Sequence, residues 1–278
     1  MILENVIRQA SQLLKNNNIA SYELDSEIIL SDIMKVSREF LITNNHVNIS
    51  KNIIKKYSLA IKRRINKEPI AYIIGKKEFW SEDFLVNKAT LIPRPETELL
   101  IYKVIKFFEN KRINILDIGT GSGCILLAIL KELNFARGIG IDISAKAIQM
   151  AKVNSKILNL SNHSKFKICD LNKYNIGKYD LIVSNPPYIP SKDIKNLSKD
   201  IINYEPKTAL DGGLDGLDLI KKVIYKSSHL FKRNGLLAIE IGFNQYKRVS
   251  SILRHYRFRE ISREYDNNRN VRCIISTK

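Results

Sequence analysis

Arg112-Ile113-Asn114-Ile115-Leu116-Asp117-Ile118-Gly119-Thr120-Gly121-Ser122-Gly123 is the stretch from which the fold of this chain is read. Ile113 to Asp117 is a short apolar run that ends in a glycine loop, and Ile125 to Leu133 carries a helical pattern directly after it. Strand, glycine turn and helix in that order open a doubly wound sheet, whose ligands bind at the carboxyl ends of the strands. Glycines in such a turn adopt positive φ and let the backbone approach a ligand closely.

Working outward, the same rhythm continues to the C-terminus. Gly138 to Asp142 reads as the second strand, and Ser144 caps a helix to about Ile157. Further strands fit Phe166 to Cys169, Asp180 to Ser184, Leu236 to Ile241 and Arg272 to Ser276, with a helix from about Leu217 to Leu230. Strands alternating with crossover helices predict an α/β, Rossmann-like, mainly parallel sheet over residues 111–278. Upstream the pattern differs. Leu3 to Leu14 and Asp25 to Met34 are amphipathic, Ser37 caps a short turn, and Ser50 opens a long helix, so residues 1–75 read as a small helical bundle. Pro69 ends that region. Residues 76–110 form a connector with a hairpin or extended piece at Glu78 to Val86, a loop stiffened by Pro93 and Pro95, and a helix from about Thr97 to Phe108.

Composition bounds the rest. At 278 residues the chain has room for one large and one small domain. Cys124, Cys169 and Cys273 are scattered, which reads as reduced thiols, and no His or Cys spacing predicts a metal site. The start of the chain lacks a secretory pattern and no run reaches the roughly 18 apolar residues of a membrane span, so the expectation is a soluble, cytoplasmic protein. The net charge of +18 is mostly lysine spread along a chain rich in Asn and Ile. It reads as compositional bias more than a built nucleic-acid patch.

Asp142 lies about 20 residues past the glycine loop, where a carboxylate accepts hydrogen bonds from both hydroxyls of a ribose. A dinucleotide is the rival ligand. Its fingerprint needs a third small residue where Cys124 stands, so the observed spacing suits a nucleoside without a pyrophosphate, such as S-adenosylmethionine. A glycine turn with no ligand is the bland alternative, weakened by the next motif.

The strand Tyr179 to Ser184 runs into Asn185-Pro186-Pro187-Tyr188 at the same sheet edge. The Asn185 side chain and the Pro186 carbonyl can present two fixed acceptors to the two protons of a planar NH₂ group. Holding both N–H bonds favours pyramidalisation and aims the lone pair at a sulfonium methyl group, so catalysis is positioning and electrostatics. Tyr188 offers an aromatic face over the substrate. The motif suits amino-group methylation and leaves glutamine and adenine both open.

At this point the chain resembles the bacterial release-factor glutamine methyltransferases, the PrmC or HemK family. The resemblance runs through Glu68-Pro69-Ile70-Ala71-Tyr72-Ile73-Ile74-Gly75 and Glu78-Phe79-Trp80. It continues in Pro93-Arg94-Pro95-Glu96-Thr97-Glu98, Tyr204-Glu205-Pro206, Ala209-Leu210-Asp211-Gly212-Gly213, Asp215-Gly216-Leu217-Asp218 and Glu240-Ile241-Gly242. It implies a seven-stranded class I methyltransferase domain behind a helical domain that grips the substrate. It further implies that the target is the glutamine of the Gly-Gly-Gln loop of class 1 peptide chain release factors. Carried over, Gly119, Thr120, Gly121, Ser122, Gly123 and Asp142 hold S-adenosylmethionine, Asp170 and Leu171 flank its adenine, and Asn185, Pro186, Pro187 and Tyr188 hold the glutamine, with Asn185 also beside the cofactor.

A related enzyme that methylates a ribosomal-protein glutamine typically reads Pro-Arg-Ser-Pro at the proline loop, unlike the sequence here. An adenine-N6 methyltransferase of nucleic acid would use the same Asn-Pro-Pro-Tyr but would need a recognition domain. A third alternative is a non-catalytic RNA-binding protein on a vestigial fold. Two departures stand out: Asp266-Asn267-Asn268-Arg269 lacks a glycine the family often has, and Leu171 stands where some members have an aromatic. Arg94 and Glu96 are expected at the mouth of the site, Trp80 over the site or the domain junction, and Glu240 beneath the cofactor or as a structural carboxylate. The sequence suggests a monomer and no membrane partner.

Overall fold

The structure is a computed structural model that describes residues 1–278. Its helices and strands, in chain order, are α1 (Leu3–Asn16), α2 (Tyr22–Met34), α3 (Arg38–Thr43), α4 (Lys51–Ile65), α5 (Ile70–Ile74), β1 (Lys76–Phe79), β2 (Glu82–Leu85), α6 (Glu98–Phe108), β3 (Asn114–Ile118), α7 (Cys124–Glu132), β4 (Arg137–Asp142), α8 (Ala145–Ile157), β5 (Ser164–Ile168), β6 (Tyr179–Ser184), α9 (Lys199–Tyr204), α10 (Asp218–Leu230), β7 (Phe231–Glu240), α11 (Tyr246–His255), β8 (Arg259–Tyr265) and β9 (Val271–Thr277). No helix is long and apolar enough to cross a membrane.

Two compact units divide the chain. The first is Met1–Lys76 with Ser198–Tyr204, and the second is Lys77–Leu197 with Glu205–Lys278. The hairpin turn, the proline loop and α6 therefore belong to the second unit.

In the first unit α1, α2 and α4 bury Leu3, Val6, Leu14, Ile29, Leu30, Tyr57 and Ile61 in one core. Ser37 and Ser50 cap α3 and α4, each side chain accepting from a backbone N–H three residues on. Arg64 is buried and donates to Asp25 at 2.7 Å and to the Glu68 carbonyl at 3.1 Å. Its guanidinium also reaches Asp200 on α9, and the Tyr204 hydroxyl donates to the Asn66 carbonyl, which ties that short helix to this unit.

The second unit is built on a seven-stranded sheet of order β5-β4-β3-β6-β7-β9-β8, with β9 antiparallel to both its neighbours and the other pairings parallel. Side chains alternate across it. Ile115, Leu181, Val183 and Ala238 face α6, α7 and α8, while Leu116, Ile118, Ile182 and Ile239 face α10 and α11. Burial on both faces is why β3 and β6 read as continuous apolar runs. Chain order reverses at β3, so the crevice lies over the carboxyl ends of β4, β3 and β6. Ile118 pairs with Ile141 on one side and Ser184 on the other. Gly119, Asp142 and Asn185, the next residue in each segment, therefore stand side by side at this edge of the sheet.

The hairpin of β1 and β2 turns through Trp80 and Ser81, both at positive φ. Trp80 donates its backbone N–H to Glu98 and its indole N–H to Glu132, each at 2.8 Å. The residue fastens the hairpin to α6 and α7; the sequence had pointed it to the site or the domain junction.

Candidate active site

Gly119, Gly121 and Gly123 all take left-handed φ, between +56° and +82°, where a side chain would be strained. The loop is tied down from below. Gly119 and Thr120 donate to the Ile141 carbonyl, and the Thr120 hydroxyl donates to Asp117 Oδ2 at 2.6 Å. Asn154 of α8 donates to the Ser122 carbonyl at 2.9 Å. Thr120 and Ser122 are buried, and Gly123 stands at the N-cap of α7.

Asp117 has no exposed surface, and its Oδ1 has no hydrogen-bond partner. Burial pushes its pKa up to about 7, with the Thr120 hydroxyl pulling it down, Asp142 raising it and the Leu126 N–H pulling weakly the other way. Asp142 is half-buried and accepts from the N–H groups of Gly121 at 3.0 Å and Ser144 at 2.8 Å. Each oxygen keeps a lone pair for a further donor.

Past β5, Asp170 accepts from the Asn172 N–H and starts a short turn that buries Leu171. Lys226 of α10 reaches beneath that turn. Its ammonium donates to the Asn172 carbonyl at 2.7 Å and to Asn175 Oδ1 at 2.9 Å, and meets the Tyr174 carbonyl at 3.4 Å.

Past β6, Asn185 donates its Nδ2 to the Thr97 hydroxyl at 3.1 Å. Thr97 donates to Glu240 Oε2 at 2.6 Å, and the Tyr188 hydroxyl donates to Oε1 at 3.2 Å. Arg272 donates to the Tyr188 oxygen at 3.0 Å and lies over its ring. Burial raises the pKa of Glu240, with the Thr97 hydroxyl, Arg272 and Tyr188 drawing it back. The Tyr188 phenol is raised as well, chiefly by burial and then by the Glu240 charge.

The backbone of Pro187 to Pro190 is clamped by the loop that follows α9. Ile189 exchanges backbone hydrogen bonds with Leu210 and Gly212, and Gln245 donates to the Tyr188 carbonyl at 2.9 Å. A Cβ on Gly212 would fall 2.8 Å from the Pro187 carbonyl, and one on Gly216 only 2.4 Å from that of Tyr188. The Asp-Gly-Gly and Asp-Gly-Leu-Asp motifs are thus backing for Asn-Pro-Pro-Tyr. On the opposite wall, buried Glu205 receives the Arg94 guanidinium and the Ile92 N–H, which fixes the proline loop.

These elements enclose a cavity of about 330 Å³. Gly119, Gly121, Asp142, Asp170, Leu171, Asn185 and Pro187 line it; Thr120, Ser122, Gly123, Pro186 and Tyr188 do not. Ala89, Thr90 and Leu91 complete one wall, and Thr208, Ala209 and Leu219 another. Sequence reasoning passed over these residues and Thr97, although Thr97 and Ala209 sit inside motifs it had singled out. A cavity lined by Ala147, Leu171, the Asp142 carboxylate, the glycine loop and Asn185 fits a nucleoside bearing a short side chain.

Comparison with known proteins agrees with this architecture. Residues 5–75 match a family model described as the PrmC N-terminal domain, and residues 109–248 match a methyltransferase domain model. The release factor glutamine methyltransferase of Clostridium acetobutylicum is 39% identical over 282 residues, covering 100% of this chain and 99% of that relative. That of Buchnera aphidicola subsp. Baizongia pistaciae is 38% identical over 280 residues and covers both chains fully, 100% of each. Among solved structures, the complex of aTrm5 and tRNALeu superposes with a TM-score of 0.52 at 14% identity, over 73% of this chain and 52% of that one, which speaks for the fold alone.

Proposed function

The chain belongs to the release factor glutamine methyltransferases, and from that membership we propose that it methylates the side-chain amide nitrogen of the glutamine in the Gly-Gly-Gln loop of class 1 peptide chain release factors. The observation that carries this reading is the opening of Asn185, Asp142 and the glycine loop into one cavity. When bound there, S-adenosylmethionine supplies an electrophilic methyl group on its sulfonium.

The chain's own residues do the rest. Asp142 accepts from the ribose hydroxyls with the lone pairs that Gly121 and Ser144 leave over. Gly119 and Gly121 bring the backbone against the amino-acid end, and Leu171 with Asp170 borders the base. Thr120, Ser122 and Gly123 serve by shaping the loop. Asn185 Oδ1 and the Pro186 carbonyl accept the two N–H bonds of the substrate amide, and Pro187 and Tyr188 keep that corner rigid. The amide nitrogen is a poor nucleophile, so orientation and two strong acceptors supply the rate. The proton lost afterwards passes to water, and no general base is needed. The protein would act in the cytoplasm on a protein substrate.

Asn185→Ala tests the assignment. We expect kcat to fall by roughly a hundredfold or more, as for loss of a preorganised polar contact to the reacting group, with cofactor affinity changed little. Methyl transfer at the wild-type rate would remove Asn185 from the mechanism.

A further inference from the structure

We propose that Thr97 and Glu240 are positioning residues that dictate which end of the Asn185 amide faces the substrate. The inference rests on the role given to Asn185 above, and extends it to the side chains behind.

The two ends of an asparagine amide have nearly the same shape, so packing alone does not choose between them. Reversed, Asn185 would present N–H groups to a substrate that itself carries N–H groups. The hydrogen bonds behind it permit one orientation. Arg272 can only donate, so at 3.0 Å the Tyr188 oxygen must accept from it. The phenol proton is then free for Glu240 Oε1, 3.2 Å away. With Glu240 ionised its carboxylate only accepts, so at 2.6 Å the Thr97 hydroxyl must give its single proton to Oε2. Thr97 has nothing left to donate, and its oxygen must accept from Asn185 at 3.1 Å. Nδ2 therefore points at Thr97 and Oδ1 points away from it. Arg272 at one end and the carboxylate in the middle set the polarity of the whole chain, and burial of Glu240 and Thr97 keeps water from offering an alternative.

The competing explanation is a structural staple between the proline loop and β7. Thr97→Val, Thr97→Ser, Glu240→Gln, Asn185→Ala and the Asn185→Ala/Thr97→Val double variant separate the two. Each is assayed by single-turnover methyl transfer to purified release factor, with cofactor affinity and thermal unfolding measured alongside. We expect Thr97→Val to lower the rate about tenfold to a hundredfold, the scale of a misoriented reacting group, while cofactor affinity stays as in the wild type. Thr97→Ser, which restores the hydroxyl, should recover most of that loss. Glu240→Gln, which can turn an N–H toward Thr97 and so allow the reversed chain, should be slow in the same way. In the Asn185→Ala background Thr97→Val should cost nothing further.

A wild-type rate in Thr97→Val beside a crippled Asn185→Ala would overturn the positioning role and leave the assignment of Asn185 standing. An equal loss from Thr97→Val in both backgrounds, with a lowered unfolding temperature, would assign Thr97 to the staple. Full activity in Asn185→Ala would overturn both readings together.

Discussion

Asp117 lies at the end of β3 with no exposed surface, one oxygen on Thr120 and the other without a partner. Its pKa rises from 3.8 to about 7 because burial penalises the charge. A raised carboxylate holds its proton in the folded state and loses it in the unfolded chain, so stability from this group is present below pH 4 and is lost as pH climbs toward 7. The difference is on the order of 4 kcal/mol at most, about 1.4 kcal/mol per unit. Asp117→Asn should flatten that stretch of the stability curve, measured by denaturant unfolding at several pH values; an unchanged slope would show that the group does not titrate there. Asp142 is the companion case at the cavity. Asp142→Ala removes the proposed ribose acceptor and the acceptor of two backbone N–H groups, and calorimetry should report S-adenosylmethionine binding weakened by tenfold or more, given about 1.5–3 kcal/mol for each hydrogen bond to a charged group. At this scale the positions of Asp142 and Asn185 at the cavity could be read from sequence, because one ends a strand and the other follows one within a spaced motif. Thr97, Glu205 and Lys226 could not be placed, because their partners lie 143, 111 and up to 54 residues away.

Most helices and strands that bury a full apolar face announced themselves; α11, which buries Val249 and Leu253, was missed, as were elements without such a face. β8, Arg-Glu-Ile-Ser-Arg-Glu-Tyr, is an edge strand whose half-buried face carries Glu260, Ser262 and Glu264 while Ile261 and Tyr265 are exposed, so its alternation carries almost no hydropathy signal. The seventh strand was expected from resemblance alone. Short pieces such as α5 and α9 fall below any periodic window. Two supporting elements yield predictions of their own. Lys226 holds the turn that carries Leu171, and Lys226→Met should loosen it, raising the dissociation constant for S-adenosylmethionine severalfold while leaving the turnover number of saturated enzyme near that of the wild type. Gly216→Ala sets a Cβ 2.4 Å from the Tyr188 carbonyl at a φ of +74°. Strain of roughly 1–3 kcal/mol should appear as a lower unfolding temperature together with slower methyl transfer; a wild-type melting curve would show that the loop yields without cost.

Over the whole molecule, the sequence reading placed helices before the proline loop and a doubly wound sheet after it, and the sheet order bears out the class I methyltransferase fold. Chain connectivity was harder to foresee: Ser198–Tyr204 sits in the helical unit although it lies between β6 and β7 in sequence. Local patterning cannot reveal such an excursion, since the contacts that fix it, Asp200 with Arg64 and Tyr204 with Asn66, span well over a hundred residues. Neither does the +18 charge choose a partner, because lysines scattered along the whole chain carry no built patch in the sequence. Substrate choice is therefore the claim to test directly. Methyl transfer from labelled S-adenosylmethionine should be followed to purified class 1 release factor, to the same factor with the glutamine of its Gly-Gly-Gln loop changed to alanine, to a ribosomal protein fraction and to duplex DNA. The account predicts label on the unaltered factor alone. Label on the alanine variant would contradict the assignment of the loop, and label on ribosomal protein or DNA with none on the factor would contradict the substrate itself.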